Sequence, residues 1–67
     1  MKTLSRREKQ IVDALLAGRT NKEIAQQLGS SDQTIKNQLT TLYRKMGVSS
    51  RLELVLLAME QRKQNPE

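Results

Sequence analysis

The 67-residue chain contains no cysteine and no histidine. Disulfides, thiol nucleophiles, cysteine and histidine zinc sites and imidazole catalysis are therefore excluded together. It has one tyrosine and neither phenylalanine nor tryptophan, too few rings to bind RNA or single strands by stacking bases. No apolar run approaches the roughly 20 residues of a membrane span, and Met1 is not followed by the hydrophobic region of a signal peptide. A cytoplasmic protein with no membrane association is expected. The seven acids are scattered along the chain, with no clustered pair to act as general acid and base. With no candidate catalytic group, no enzyme and no cofactor are expected.

Acid is also scarce relative to base. Twelve Lys and Arg give a formal charge of +5 and a pI near 10.1, which favours an anionic partner, either nucleic acid or an acidic surface. A basic balance can equally serve solubility alone. Distribution says more: between Gln33 and Leu52 the chain carries Lys36, Arg44, Lys45 and Arg51 and no acid. With stacking aromatics absent, double-stranded DNA is the better candidate.

A chain this short makes one domain and buries only about 60% of its unfolded surface. Stability must come from well-capped helices or from a partner, and capping signals are frequent. Ser5 and Glu8, Thr20 and Glu23, and Ser50 and Glu53 each have capping-box spacing. Ser31 can cap the amide of Thr34, and Gly18, Gly29 and Gly47 follow the apolar runs as stops. These marks predict an all-α fold of four helices over about 5–17, 21–28, 32–46 and 51–63, with 4–63 ordered and a frayed polar tail over 64–67. Ile11, Val12, Leu15 and Leu16 form the inner face of the first helix. Ile24, Ala25 and Leu28 form that of the second.

The third helix matters most for function. Ile35, Leu39, Leu42 and Met46 recur at i, i+4, i+7 and i+11, a stripe about 60° wide that must be buried. Gln33, Asn37, Thr40, Thr41 and Arg44 point away from it, with Lys36 on the flank. Short amides, hydroxyls and cations reach base edges and phosphate oxygens, so this face suits a DNA groove. The Ala25, Gly29, Ile35 interval has helix-turn-helix spacing: a small residue at a close crossing, a turn residue tolerant of positive φ, and an apolar contact beyond. Asn21 and Lys22 stand at a helix N-terminus, where amides attract phosphate. Each of these polar residues could instead be an ordinary solvated side chain; the acid-free surroundings of Lys36 and Asn37 favour DNA.

The chain resembles the LuxR-type, or GerE-like, helix-turn-helix domain. The resemblance runs through LSRRE at 4–8, AGRTNKEIAQQL at 17–28, Ser31, TIK at 34–36, RKMGV at 44–48 and Arg51. It implies a tetrahelical domain in a transcriptional regulator, with a recognition helix in the major groove and dimerisation through the last helix. Lys36, Asn37 and Thr40 match base-contacting positions, with Gln33 beside them. Asn21, Lys22, Thr34, Arg44 and Lys45 match backbone contacts, and Gln38 and Thr41 are expected as further ones. It further implies a homodimer on DNA, RNA polymerase as a further partner, and a bacterial nucleoid-associated location. Two positions depart from the family pattern: Ser30 replaces a large aliphatic residue, and Gln38 a frequent histidine. Family members of this size occur alone, but most are the C-terminal part of a receiver-domain or ligand-domain regulator.

A sigma-factor region-4-like promoter-binding domain has a similar EIA and TIK pattern, but normally ends with its recognition helix. A protein-interaction module that kept the fold is the other alternative. The fourth helix carries two apolar stripes: Leu52, Val55, Leu56 and Met59 on one side, and Leu54, Leu57 and Ala58 on the other. The second set, with Gln61, is expected to be the dimer interface, because a chain of this size has no further element to cover it; the alternative is that these leucines pack onto the first helix and only complete the core.

Overall fold

The computed structural model describes residues 4–64. Four helices follow one another: α1 (Arg6–Leu16), α2 (Asn21–Leu28), α3 (Asp32–Met46) and α4 (Arg51–Gln64). Of the expected tail, Gln64 closes α4 and 65–67 lie outside the described residues.

Local chemistry sets these boundaries. Ser5 accepts from the Glu8 amide at 3.1 Å while the Glu8 carboxylate accepts from the Ser5 amide at 2.8 Å. Thr20 and Glu23 repeat the exchange at 3.2 and 2.8 Å. Each reciprocal pair satisfies two of the amides that a helix start leaves without partners. Ser31 caps the Thr34 amide at 3.1 Å. At α4 only half of the expected box forms. Ser50 accepts from the Glu53 amide at 3.2 Å, but the Glu53 carboxylate meets the Ser50 hydroxyl and not its amide.

The turn between α2 and α3 needs its glycine. Gly29 has φ +67°, a left-handed conformation that costs a side-chain-bearing residue roughly 1–2 kcal/mol. It lets the Ser30 amide reach back to the Ala25 carbonyl at 2.8 Å, closing α2 and releasing the chain into α3 within three residues.

The core is one cluster to which every helix contributes. Ile11, Val12, Ala14 and Leu15 come from α1, Ile24 and Ala25 from α2, Ile35, Leu39 and Leu42 from α3, and Leu54 and Ala58 from α4. Ile11, Ile24, Ile35 and Leu42 are wholly enclosed. Each such side chain contributes about 1.5–3 kcal/mol of transfer free energy. α2 packs along α3, and α1 crosses both α3 and α4. The inner face of α3 is therefore held from behind, and its polar face is left outward.

The fourth helix turns two residues of the expected dimer face, Leu54 and Ala58, into the core. Leu54 and Ala58 are 2% and 8% exposed and belong to the core, whereas Leu52, Leu56 and Met59 are 66%, 55% and 55% exposed. Leu57 and Gln61 are half-buried. α1 lies against α4, and Leu54 and Ala58 join the shared core there. The uncovered ridge is the opposite one, at i, i+4 and i+7.

Candidate nucleic-acid interface

α3, fifteen residues long, carries the outward polar face. Gln33, Lys36, Asn37, Thr40, Thr41 and Arg44 are all exposed, in the arc opposite buried Ile35, Leu39 and Leu42. The face is more ordered than its exposure suggests. Gln33 Nε2 donates to Asn37 Oδ1 at 3.0 Å, one helical turn away. The Thr40 hydroxyl donates to the Lys36 carbonyl at 3.1 Å, and that of Thr41 to the Asn37 carbonyl at 3.2 Å. With their protons committed to the helix, both hydroxyls present acceptor oxygens and methyl groups outward. Thr34 accepts from the Ser31 hydroxyl at 2.9 Å, so the helix cap reaches this surface too.

The cations around the face divide into two kinds. Lys36 and Arg44 are exposed, and their charged side-chain groups make no hydrogen bond or ion pair among the described residues. Lys22, at the start of α2, is the same. Lys45 differs: its Nζ meets Glu8 Oε1 at 2.8 Å, with both side chains partly covered. The Lys45 ammonium and the Ser5 amide together hold the Glu8 carboxyl below the usual glutamate range. The run free of acid in the sequence is thus not free of acid in space: Lys45, expected as a phosphate contact, is paired with Glu8 within the molecule. Arg51 is also committed, donating to Asn21 Oδ1 at 2.6 Å and to the Arg19 carbonyl at 2.5 Å. It ties the start of α4 to the start of α2. Asn21 takes part through its side-chain oxygen and not its amide nitrogen.

Arg7 links Ser30 and Gln38, the two positions that depart from the family pattern. Its guanidinium donates to the Ser30 hydroxyl, to the Leu28 carbonyl at 3.4 Å and to Gln38 Oε1 at 3.5 Å. One side chain thereby caps the end of α2, fixes the turn and orients the Gln38 amide. Ser30 is held by this hydrogen bond at the position where an aliphatic residue is expected. Ser5, Arg7, Glu8, Thr34, Asn37, Gln38 and Thr41 line an open cleft of about 400 Å³ where the start of α1 meets α3.

Comparison with known proteins agrees with this architecture. Residues 2–58 match the family described as bacterial regulatory proteins, luxR family. The chain belongs to that family. The LuxR-type domain here is similar to the transcriptional regulatory protein YdfI of Bacillus subtilis, 40% identical over 57 residues, 85% of this chain and 27% of that protein. It resembles the nitrate/nitrite response regulator protein NarP of Escherichia coli at 39% over 59 residues, 88% of this chain and 27% of NarP. The spore germination protein GerE of Bacillus subtilis is 34% identical over 53 residues, 79% of this chain and 72% of GerE. The chain thus spans about a quarter of the length of YdfI and NarP, and most of GerE. It is a helix-turn-helix domain of the transcription-regulator type. Among the described residues no helix is long and apolar enough to cross a membrane.

Proposed function

We propose that this LuxR-type domain binds specific double-stranded DNA to regulate transcription, with α3 in the major groove. The observation that carries the reading is the outward face of α3, fully exposed, free of acid and bearing the unpaired Lys36 and Arg44. A helix fits the major groove, and cations, amides and hydroxyls are the groups that read it. Lys36, Asn37, Thr40 and Gln33 take the base edges. Lys22, Asn21, Thr34, Gln38, Thr41 and Arg44 take the sugar-phosphate backbone, which fixes register without reading sequence.

Two copies are proposed to pair on DNA through α4, on the ridge of Leu52, Leu56 and Met59. The exposure of three large apolar side chains at helical spacing supports this. Three residues supply much less than the about 800 Å² per partner of a stable interface, so pairing depends on both copies sitting on DNA. A two-fold pair would set the recognition helices about 34 Å apart on a pseudo-palindromic site. In a longer regulator, signal input and contact with RNA polymerase would fall to other segments or surfaces.

The test is selection of DNA from a random pool by the purified chain. An enriched motif of two inverted half-sites is the expected outcome. Binding without any enrichment would reduce the function to non-specific DNA association.

A further inference from the structure

The hydrogen bond between Gln33 and Asn37 has consequences for which base is read. A free amide side chain can turn either its oxygen or its nitrogen toward a base edge, so by itself it is only loosely selective. Here Gln33 Nε2 donates to Asn37 Oδ1 at 3.0 Å, and both residues are exposed on the outward arc of α3. That bond leaves Gln33 Oε1 as an acceptor and the Asn37 amide nitrogen as a donor, side by side. Exchanging oxygen and nitrogen in both amides reverses which residue offers which, and the pair still presents one of each. Ordering the two side chains before binding also removes part of the entropy lost when they dock.

Resting on the major-groove reading above, we infer that the Gln33–Asn37 amide pair is an adenine reader. Adenine alone presents one acceptor, N7, and one donor, the N6 amino group, on a single major-groove edge. Guanine presents two acceptors, so one amide oxygen would face an oxygen or ring nitrogen with no proton between them. Cytosine presents only a donor, and thymine one acceptor beside a methyl group. The pair therefore both selects adenine and rejects guanine, the two ways in which an interface gains specificity. Lys36 has the opposite character. Its three N–H groups and lack of any acceptor suit the O6 and N7 of guanine. Gln33 and Asn37 are separated by about 6 Å along the helix axis at 1.5 Å per residue, and Lys36 lies between them. The adenine and the guanine should therefore lie within about two base pairs of each other.

The test is DNA selection with the unaltered chain and with Gln33→Met, which keeps the length and helix preference of the side chain but cannot bond to Asn37. Circular dichroism establishes that the variant is folded. The unaltered chain should enrich adenine at one position of each half-site, by about 5- to 150-fold over guanine for one well-made base contact. Gln33→Met should flatten that position, admit guanine there and leave the position read by Lys36 unchanged. An enriched motif without an adenine preference, or an adenine position that Gln33→Met leaves intact, would overturn the pair as a reader while DNA recognition by α3 stands. Failure of the unaltered chain to bind DNA at all would overturn both.

Discussion

The division of cations into free and committed can be measured as a salt dependence. Each phosphate neutralised by a lysine or arginine contributes about −0.9 to the slope of log K against log salt. Lys22, Lys36 and Arg44 have free charges, and Lys45 and Arg51 are held within the domain. Two to three neutralised phosphates per chain, or four to six for a pair, give a slope of about −3.6 to −5.4. Between about 50 and 200 mM salt the affinity should then fall roughly 10²- to 10³-fold, readily followed by fluorescence anisotropy on a labelled duplex. Arg44→Ala should make the slope shallower by about 0.9 per chain.

The informative counterpart is the charge-neutral double variant Glu8→Gln with Lys45→Met. Removing Lys45 alone would leave the Glu8 carboxylate unpaired close to the DNA face and weaken binding by repulsion. Removing both charges avoids this, and glutamine retains the cap on the Ser5 amide. The double variant should keep the slope of the unaltered chain. Its cost is in stability, at most about 1 kcal/mol for a partly exposed pair. A slope reduced as much as by Arg44→Ala would show that Lys45 reaches phosphate on DNA, and the division drawn here would be wrong.

Truncating Lys36 to alanine should cost about 1–3 kcal/mol on the selected site and relax discrimination at one base pair; an unchanged sequence logo would remove it from the base readers. Leu56→Asp, on the exposed ridge, should remain folded and lose cooperative occupation of two half-sites, whereas Leu54→Asp, in the core, should unfold the domain by burying an unpaired carboxylate. A folded Leu56→Asp domain that still binds cooperatively would exclude the α4 ridge as the contact. The carboxyl of Glu8 titrates lower in the fold than in the unfolded chain. Its stabilisation is therefore complete above the ordinary glutamate range and disappears as pH falls through the lowered value. Thermal melts should show the advantage of the unaltered chain over Glu8→Gln at neutral pH vanishing in acid, and an advantage that persists in acid would contradict the ion pair. Arg7→Met should cost roughly 1–2 kcal/mol through its bonds to Leu28, Ser30 and Gln38. It should weaken binding to all sequences together, because it holds α3 in place and touches no base; a changed base preference would contradict that role.

Most of the fold is legible in the sequence because it is written locally. A capping box spans four residues and a helix stop one or two, so Ser5 with Glu8, Thr20 with Glu23, and Gly29 announce their elements without reference to anything distant. The α3 stripe is legible for a related reason: with apolar residues on one side only, periodicity fixes both the helix and the direction of its core. α4 is apolar on two sides, and there periodicity separates Leu52, Leu56 and Met59 from Leu54 and Ala58 without saying which set turns inward. That choice is made by the packing of α1 against α4, a tertiary fact with no local signature.

The same limit governs the charges, with more effect on function. Lys45 finds Glu8 across 37 positions, Arg7 finds Gln38 across 31 and Arg51 finds Asn21 across 30. None of these pairings has a spacing rule, so Lys45 and Arg51 read from sequence as available to DNA. In the folded domain, Arg7, Lys45 and Arg51 instead fix α3, the turn and α4 relative to one another, and Lys36 and Arg44 remain outward. The two groups depend on each other. A recognition helix gains specificity only if its base-reading side chains are held in register, and in a core this thin much of that restraint must come from polar ties around the rim. Net charge therefore overstates the number of phosphate contacts: some of the basic residues that suggest a DNA partner serve to position the few that meet it.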